Sequence, residues 1–222
     1  MSIAATSPLT THIQSVLDEY SMLQHPFYQA WTAGTLPREA MQAYARQYYH
    51  FESAFPRLLS AIHTRTESPE IRQMLLDNLW DEEHGERNHP RLWLDFANAL
   101  GVSDEEVTGA TLTPQTRALI DHYTEMSRNA PLGEALATLF AYEGQVPTIA
   151  WQKIKGLSEH YGFKPDQFEF FSVHLVADIA HAGHEMQAID TASSDDDAVI
   201  AATEKACKLL LGFLDGCMEE AA

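Results

Sequence analysis

The chain has 222 residues, 45% hydrophobic and 21% charged, which is ordinary globular composition and excludes disorder. Lys plus Arg number 14 against 32 Asp plus Glu, a formal charge of −18; this excludes nucleic acid and an anionic membrane surface as partners, because both need clustered cations. No apolar run approaches the ~18 residues that would span a bilayer.

The opening MSIAATSPLT has neither a basic nor an apolar signal region, so no signal peptide is expected. The two cysteines, Cys207 and Cys217, fall ten residues apart on one helical stretch. That is ~15 Å along a helix, too far for a disulfide, and a cytoplasmic protein is expected.

The periodicity is helical throughout, and alternating strand patterns are absent. The expected architecture is one all-α domain of seven or eight helices, at 9–23, 37–66, 69–87, 88–100, 114–129, 132–160, 166–192 and 196–218. Pro37, Ser68-Pro69, Thr113-Pro114 and Pro165 mark helix starts, where a proline in the first turn loses no hydrogen bond. Gly101 and Gly162 mark helix ends. The run Asp195-Asp196-Asp197 opens the last helix with charge that suits its dipole. Pro56, Pro90 and Pro147 lie inside periodic stretches, and each should kink or split its helix. No linker composition and no internal repeat divides the chain.

Two of these helices carry an unusual pattern. Positions i, i+4 and i+7 share a helix face within ~60°. His174, Asp178 and His181 stand in that relation, and so do Glu82, Glu86 and His89. Both sets have apolar neighbours, Phe170, Phe171 and Leu175 for the first, Leu75, Leu76, Leu79 and Trp80 for the second. Ionisable groups beside an apolar surface are costly to bury unless they are paired or bind a metal. A third helix adds Glu143, whose neighbours one turn away are Leu139, Phe140, Val146 and Pro147, so it should face inward.

Together these supply six or seven oxygen and nitrogen donors without a thiolate. That set suits a pair of iron or manganese ions better than structural zinc, and helix bundles build di-iron sites from such residues. Glu86-x-x-His89 matches the Glu-x-x-His form of these sites and Asp178-x-x-His181 is a variant of it. Spacing alone leaves Glu82 and Glu86 both open.

A single histidine on a helix is more often a packing or surface residue than a ligand. His12, His25, His50, His63, His122 and His160 are read that way, and so is His184. Glu83 is read as a solvated charge and Glu185, one turn beyond the His174 set, as a spare candidate. What raises the dimetal reading is three clusters on three helices.

At these residues the chain resembles the haem-oxygenase-like dimetal oxidases, most closely the group that includes the chlamydial protein associating with death domains. The quinone-synthase-like and thiaminase-like branches are similar at greater distance. The resemblance runs from about residue 14 to 216. It is carried by HPFYQAW (25–31), YARQYYHFESAFPRLLSAIHTR (44–65), LLDNLWDEEHGERNH (75–89), YEGQVPTIAWQKIKGL (142–157) and HLVADIAHA (174–182).

The resemblance implies a haem-oxygenase-like helical bundle. It also implies the metal ligands Glu82, His89, Glu143, His174, Asp178 and His181, with Glu82 rather than Glu86 in the ligand position. The implied cofactor is a pair of metal ions, Fe/Fe or Mn/Fe, with O₂ as oxidant and an electron donor as partner. The implied reaction makes p-aminobenzoate, a folate precursor, from the protein itself. Tyr28 would supply the ring and Lys153 the nitrogen, while Tyr44 and Tyr142 match tyrosines near the family's site and are expected to relay a radical.

Without the resemblance, Tyr28 at a helix start reads as packing and Lys153 as a surface charge. If buried, Lys153 would lose its proton more readily and become a nucleophile. The alternatives are an oxidase of the same fold acting on a free fatty acid or amino acid, and a module that binds host proteins. The thiaminase-like branch uses a core cysteine, and here both cysteines lie in the last helix. A homodimer is the base-rate expectation.

Overall fold

Prolines and capping side chains divide the chain into more helices than periodicity alone reveals. A computed structural model describes residues 7–222, apart from the side chains of 176–182. Its described residues form twelve α-helices and no strand. In chain order these are α1 (Pro8–Glu19), α2 (Pro26–Thr32), α3 (Arg38–Glu52), α4 (Phe55–Arg65), α5 (Pro69–Glu83) and α6 (His89–Ala99). They continue with α7 (Asp104–Thr108), α8 (Pro114–Asn129), α9 (Leu132–Glu143), α10 (Val146–Glu159), α11 (Glu169–Ala192) and α12 (Asp196–Glu220). The all-α expectation is met.

The three interior prolines split their stretches. Pro56, Pro90 and Pro147 each occupy the first turn of a new helix, α4, α6 and α10. A proline there lacks an N–H that would be unpaired anyway, whereas mid-helix it would collide with the carbonyl four residues back. Ser68, Asn88, Thr113 and Asp195 cap α5, α6, α8 and α12 by accepting from backbone N–H groups of the first turn. Gly101 and Gly162 adopt φ of +82° and +71° at the chain reversals expected for them. Two short helices, α2 and α7, carry too few turns to show a period and were not foreseen. The side chain of His25 starts α2 by accepting from the Phe27 N–H.

α9 is the central helix. Every residue from Ala135 to Glu143 is buried, as expected of a helix that is apolar nearly all round. It packs against α8, α11 and α12, while α10 packs along α11, and α3 against α6 and α12. Small residues allow the close approach: a Cβ added to Gly133 would come within 3.0 Å of Ser193 Cα. The aromatic core between these helices includes Trp31, Tyr44, Phe51, Trp93 and Phe171, all at most 1% exposed. Around it α2, α3, α5, α6, α9, α10 and α11 present the polar side chains described next.

Candidate metal centre

The segment DEEHGERNH is not one helix. α5 ends at Glu83, Gly85 turns the chain with φ of +83°, and Asn88 caps α6. A positive φ is cheap for glycine alone, and Pro90 bars a continuous helix through the carbonyl of Glu86. The expectation that Glu82, Glu86 and His89 share one helical face is therefore wrong. Glu82 and His89 meet all the same, across the break, with Glu82 Oε2 3.0 Å from His89 Nδ1. Glu86 sits on the exposed connection, as does Glu83 at the end of α5. The apolar neighbours also differ from expectation: Leu75 is buried, but Leu76 and Trp80 are exposed, and Trp80 stacks on His84.

Glu52, Glu82, His89 and His174 each offer one donor atom, and the four atoms lie within 4.8 Å of one another. All four side chains are buried. His174 donates Nδ1–H to the Phe170 carbonyl at 2.7 Å, which leaves Nε2 with its lone pair, 4.0 Å from Glu52 Oε1. Glu143 is buried beside them. Asn78 Nδ2 donates to its Oε1 at 2.7 Å.

The donor set has the signature of a cation site. Glu52 Oε1, Glu82 Oε2, Glu143 Oε2 and His89 Nδ1 are buried without a hydrogen bond, Glu82 and His89 meeting only as an ion-pair contact at 3.0 Å. Orphaned acceptors crowded in a low dielectric are costly, and a divalent ion satisfies several at once.

The titration behaviour agrees. Burial, then the nearby Glu143 carboxylate, pushes Glu82 well above the usual carboxylate range. Burial, then the charge of Glu82, lifts Glu52 to about 8. Burial lowers His89 and favours the neutral imidazole that ligation requires. Asp178 and His181 were also expected as ligands; both lie outside the described residues. Glu185, one turn further along α11, is buried.

Glu52 was missed by sequence reasoning. The signal available was the spacing of Tyr44, Tyr48 and Glu52 on α3, which repeats every four residues and so places all three on one face. Tyr48 donates its hydroxyl to Glu52 Oε2 at 2.8 Å. Its hydroxyl is in turn in hydrogen-bond contact with Tyr142.

On the far side of Tyr48 lie the other expected residues. Lys153 is 5% exposed, although its neighbour Trp151 is 54% exposed. Its Nζ donates to the Tyr44 hydroxyl at 2.6 Å, and Tyr44 and Tyr28 meet hydroxyl to hydroxyl at 3.4 Å. Nζ stands 5.4 Å from the centre of the Tyr28 ring and 4.7 Å from that of Tyr44. Burial pushes Lys153 down to about 7, against the pull of the Glu52 carboxylate, and burial raises Tyr28 and Tyr44. Tyr28, Tyr44, Tyr48, Tyr142, Lys153 and His174 all line one cavity of about 20 Å³. The cavity thus joins the His174 imidazole to the lysine.

Comparison with known proteins gives a concordant result. The family model described as iron-containing redox enzyme matches residues 42–210. A 4-aminobenzoate synthase from Nitrosomonas europaea is 44% identical over 97% of this chain and 93% of its own length. One from Chlamydia muridarum is 41% identical over 94% and 89%. Among solved structures, a TenA homologue from Pseudomonas syringae superposes with a TM-score of 0.84 over 99% of this chain and 96% of that one, at 17% identity. At that identity the likeness shows the fold alone.

Proposed function

The chain belongs to the iron-containing redox enzymes, and from that premise we propose that it is an O₂-dependent oxidoreductase that forms p-aminobenzoate from its own Tyr28 and Lys153. The observation that carries this reading is the neutral-leaning Lys153 amine enclosed between the Tyr28 and Tyr44 rings. The cavity beside it has about 20 Å³. That admits a molecule the size of water or dioxygen.

The product's skeleton fits. p-Aminobenzoate is a benzene ring with a carboxyl carbon opposite a nitrogen, and a tyrosine side chain is the same ring with Cβ opposite its oxygen. The amine needed at the oxygen end would come from Lys153, which is linked to the Tyr28 hydroxyl through that of Tyr44. 4-Aminobenzoate is also the product named for the relatives at 41–44% identity.

Glu82, His89, Glu143 and His174 would hold the metal, with Asp178 and His181 as the further expected ligands. A bound pair of ions, Fe/Fe or Mn/Fe, would supply the oxidising power toward O₂ chemistry that a phenol ring needs before it can accept nitrogen. The protein's own groups do the rest. With its proton affinity lowered to about 7, Lys153 presents a lone pair in a substantial fraction of molecules at neutral pH. The Tyr44 hydroxyl holds that amine by a 2.6 Å hydrogen bond and links it to Tyr28. The surrounding aromatic shell, with the centre of the Phe171 ring 4.8 Å from Nζ, keeps bulk water from the reacting groups. Because Tyr28 and Lys153 are consumed, each chain acts at most once.

Protein carrying ring-¹³C tyrosine and ¹⁵N lysine, loaded with Fe(II) and Mn(II) and then given O₂ and a reductant, tests this. Product carrying both labels, at no more than one per chain, with a matching loss of chain mass, is expected. Unlabelled product, or many products per chain, would overturn it in favour of an oxidase with a diffusible substrate.

A further inference from the structure

The ligand set implied by resemblance draws on α5, α6, α9 and α11. It takes nothing from α3, yet α3 places a carboxylate among those ligands. Glu52 is 2% exposed. Its Oε2 accepts the Tyr48 hydroxyl at 2.8 Å, while its Oε1 has no hydrogen bond and faces His174 Nε2 at 4.0 Å. A buried carboxylate that served only to hold Tyr48 would leave its second oxygen desolvated for no return, and a glutamine would hold the phenol without the charge. A cation at the point where the donors of Glu52, Glu82, His89 and His174 converge would pair both that charge and the unbonded oxygen.

Charge balance points the same way. Two divalent ions carry four positive charges. In the ligand set that the resemblance implies, Glu82, Glu143 and Asp178 would supply three negative ones, with the imidazoles neutral. Glu52 would supply the fourth, so that the buried centre is neutral.

Resting on the metal-centre reading above, we propose that Glu52 is a further metal ligand of this protein. Through its second oxygen it is also the residue that positions Tyr48 between the metal centre and the lysine–tyrosine chamber. With Oε1 toward the ions and Oε2 on the phenol, this one carboxylate would tie Tyr48 and, beyond it, Tyr142 to the metal centre.

The test is a titration of chelator-stripped protein with Co(II), read by competition with a chromophoric chelator, alongside the thermal midpoint of the metal-free form. Wild type is expected to take two equivalents. Glu52→Gln should weaken one equivalent by about tenfold or more, while its metal-free midpoint equals or exceeds that of wild type, because an amide replaces a buried carboxylate. A packing role predicts the opposite, a lower midpoint with cobalt affinity intact. Tyr48→Phe should keep both equivalents within about threefold, since it removes the phenol and leaves the carboxylate. If Glu52→Gln does not accumulate, Glu52→Asp, which withdraws the carboxylate by one methylene, should show the same selective loss.

Unchanged cobalt binding by Glu52→Gln beside a Glu82→Gln variant that loses metal would overturn the assignment of Glu52 alone. A Tyr48→Phe loss as large as that of Glu52→Gln would also overturn it. Wild type that binds no cobalt would overturn the metal centre, and the assignment with it.

Discussion

The carboxylate–imidazole cluster and the lysine–tyrosine chamber are neighbours on one cavity and are about equally buried, yet they answer to different physics. In the chamber every polar group finds a protein partner: Lys153 donates to Tyr44, Tyr44 meets Tyr28, and Tyr48 donates to Glu52. In the cluster one oxygen each of Glu52, Glu82 and Glu143, together with His89 Nδ1, is buried without a hydrogen-bond partner. The chamber is thus complete as protein, and the cluster is complete only with a cation. The self-consuming reaction proposed above would benefit from this division. Tyr28 and Lys153 would be held by bonds that need no metal, and the ions by residues that the reaction leaves intact.

The largest expected effect falls on the chamber. Tyr28→Phe keeps the ring and its packing and removes the oxidisable phenol, so product should fall to background while bound metal, measured by elemental analysis, stays at the wild-type level. Lys153→Ala should do the same. Metal loss in either variant would mean that the two regions are not separable.

The next effect falls on the cluster. Glu82→Gln should lower metal affinity by about 10–100-fold or more, whereas Glu86→Gln should leave it within about twofold, because Glu86 is exposed on the α5–α6 connection. The reverse result, read by the same cobalt titration, would return the ligand role to Glu86.

Metal removal should then show in stability. Ions that bind only the folded chain add about 2.7 kcal/mol per site at a hundred times their dissociation constant. Chelation should therefore lower the thermal midpoint of wild type by several degrees, and that of Glu82→Gln much less.

The smallest effect is a pH dependence of the metal-free protein. Lys153 titrates at about 7 when folded, against 10.5 for an ordinary lysine. Between these values the unfolded chain binds more protons than the folded one, so stability should rise with pH through that window, by at most about 1.4 kcal/mol per pH unit. Glu52 has the opposite sign. Its folded value of about 8 against 4.5 makes stability fall as pH rises from 4.5 to 8. Urea midpoints across pH 5–10 should lose the upper slope in Lys153→Met and show a shallower lower one in Glu52→Gln, with Glu82 supplying the remainder. An upper slope unchanged in Lys153→Met, or a lower one unchanged in Glu52→Gln, would assign it to another group.

Much of this was legible in the chain before any coordinates. Helical periodicity, the caps Ser68 and Thr113, and the stops Gly101 and Gly162 are local signals, decided within a turn or two, and so sequence alone determined the all-α class and most helix starts. Glu143 was legible for the same reason, since its one-turn neighbours on α9 are nearly all apolar. What tertiary structure decided was which face of each helix is inside where hydropathy and packing disagree. Trp151 is more than half exposed while Lys153, two residues on, is buried, and Trp80 is exposed while Glu82 is buried. A residue scale ranks these pairs the wrong way round. Burial belongs to the face that meets α2, α3 and α11, and that geometry is not in any local window. The meeting of Glu82 with His89 across a helix break, and the arrival of Glu52 from α3, also join elements far apart in the chain. Local spacing could not order them, because their separation is set by how helices pack and not by residues per turn.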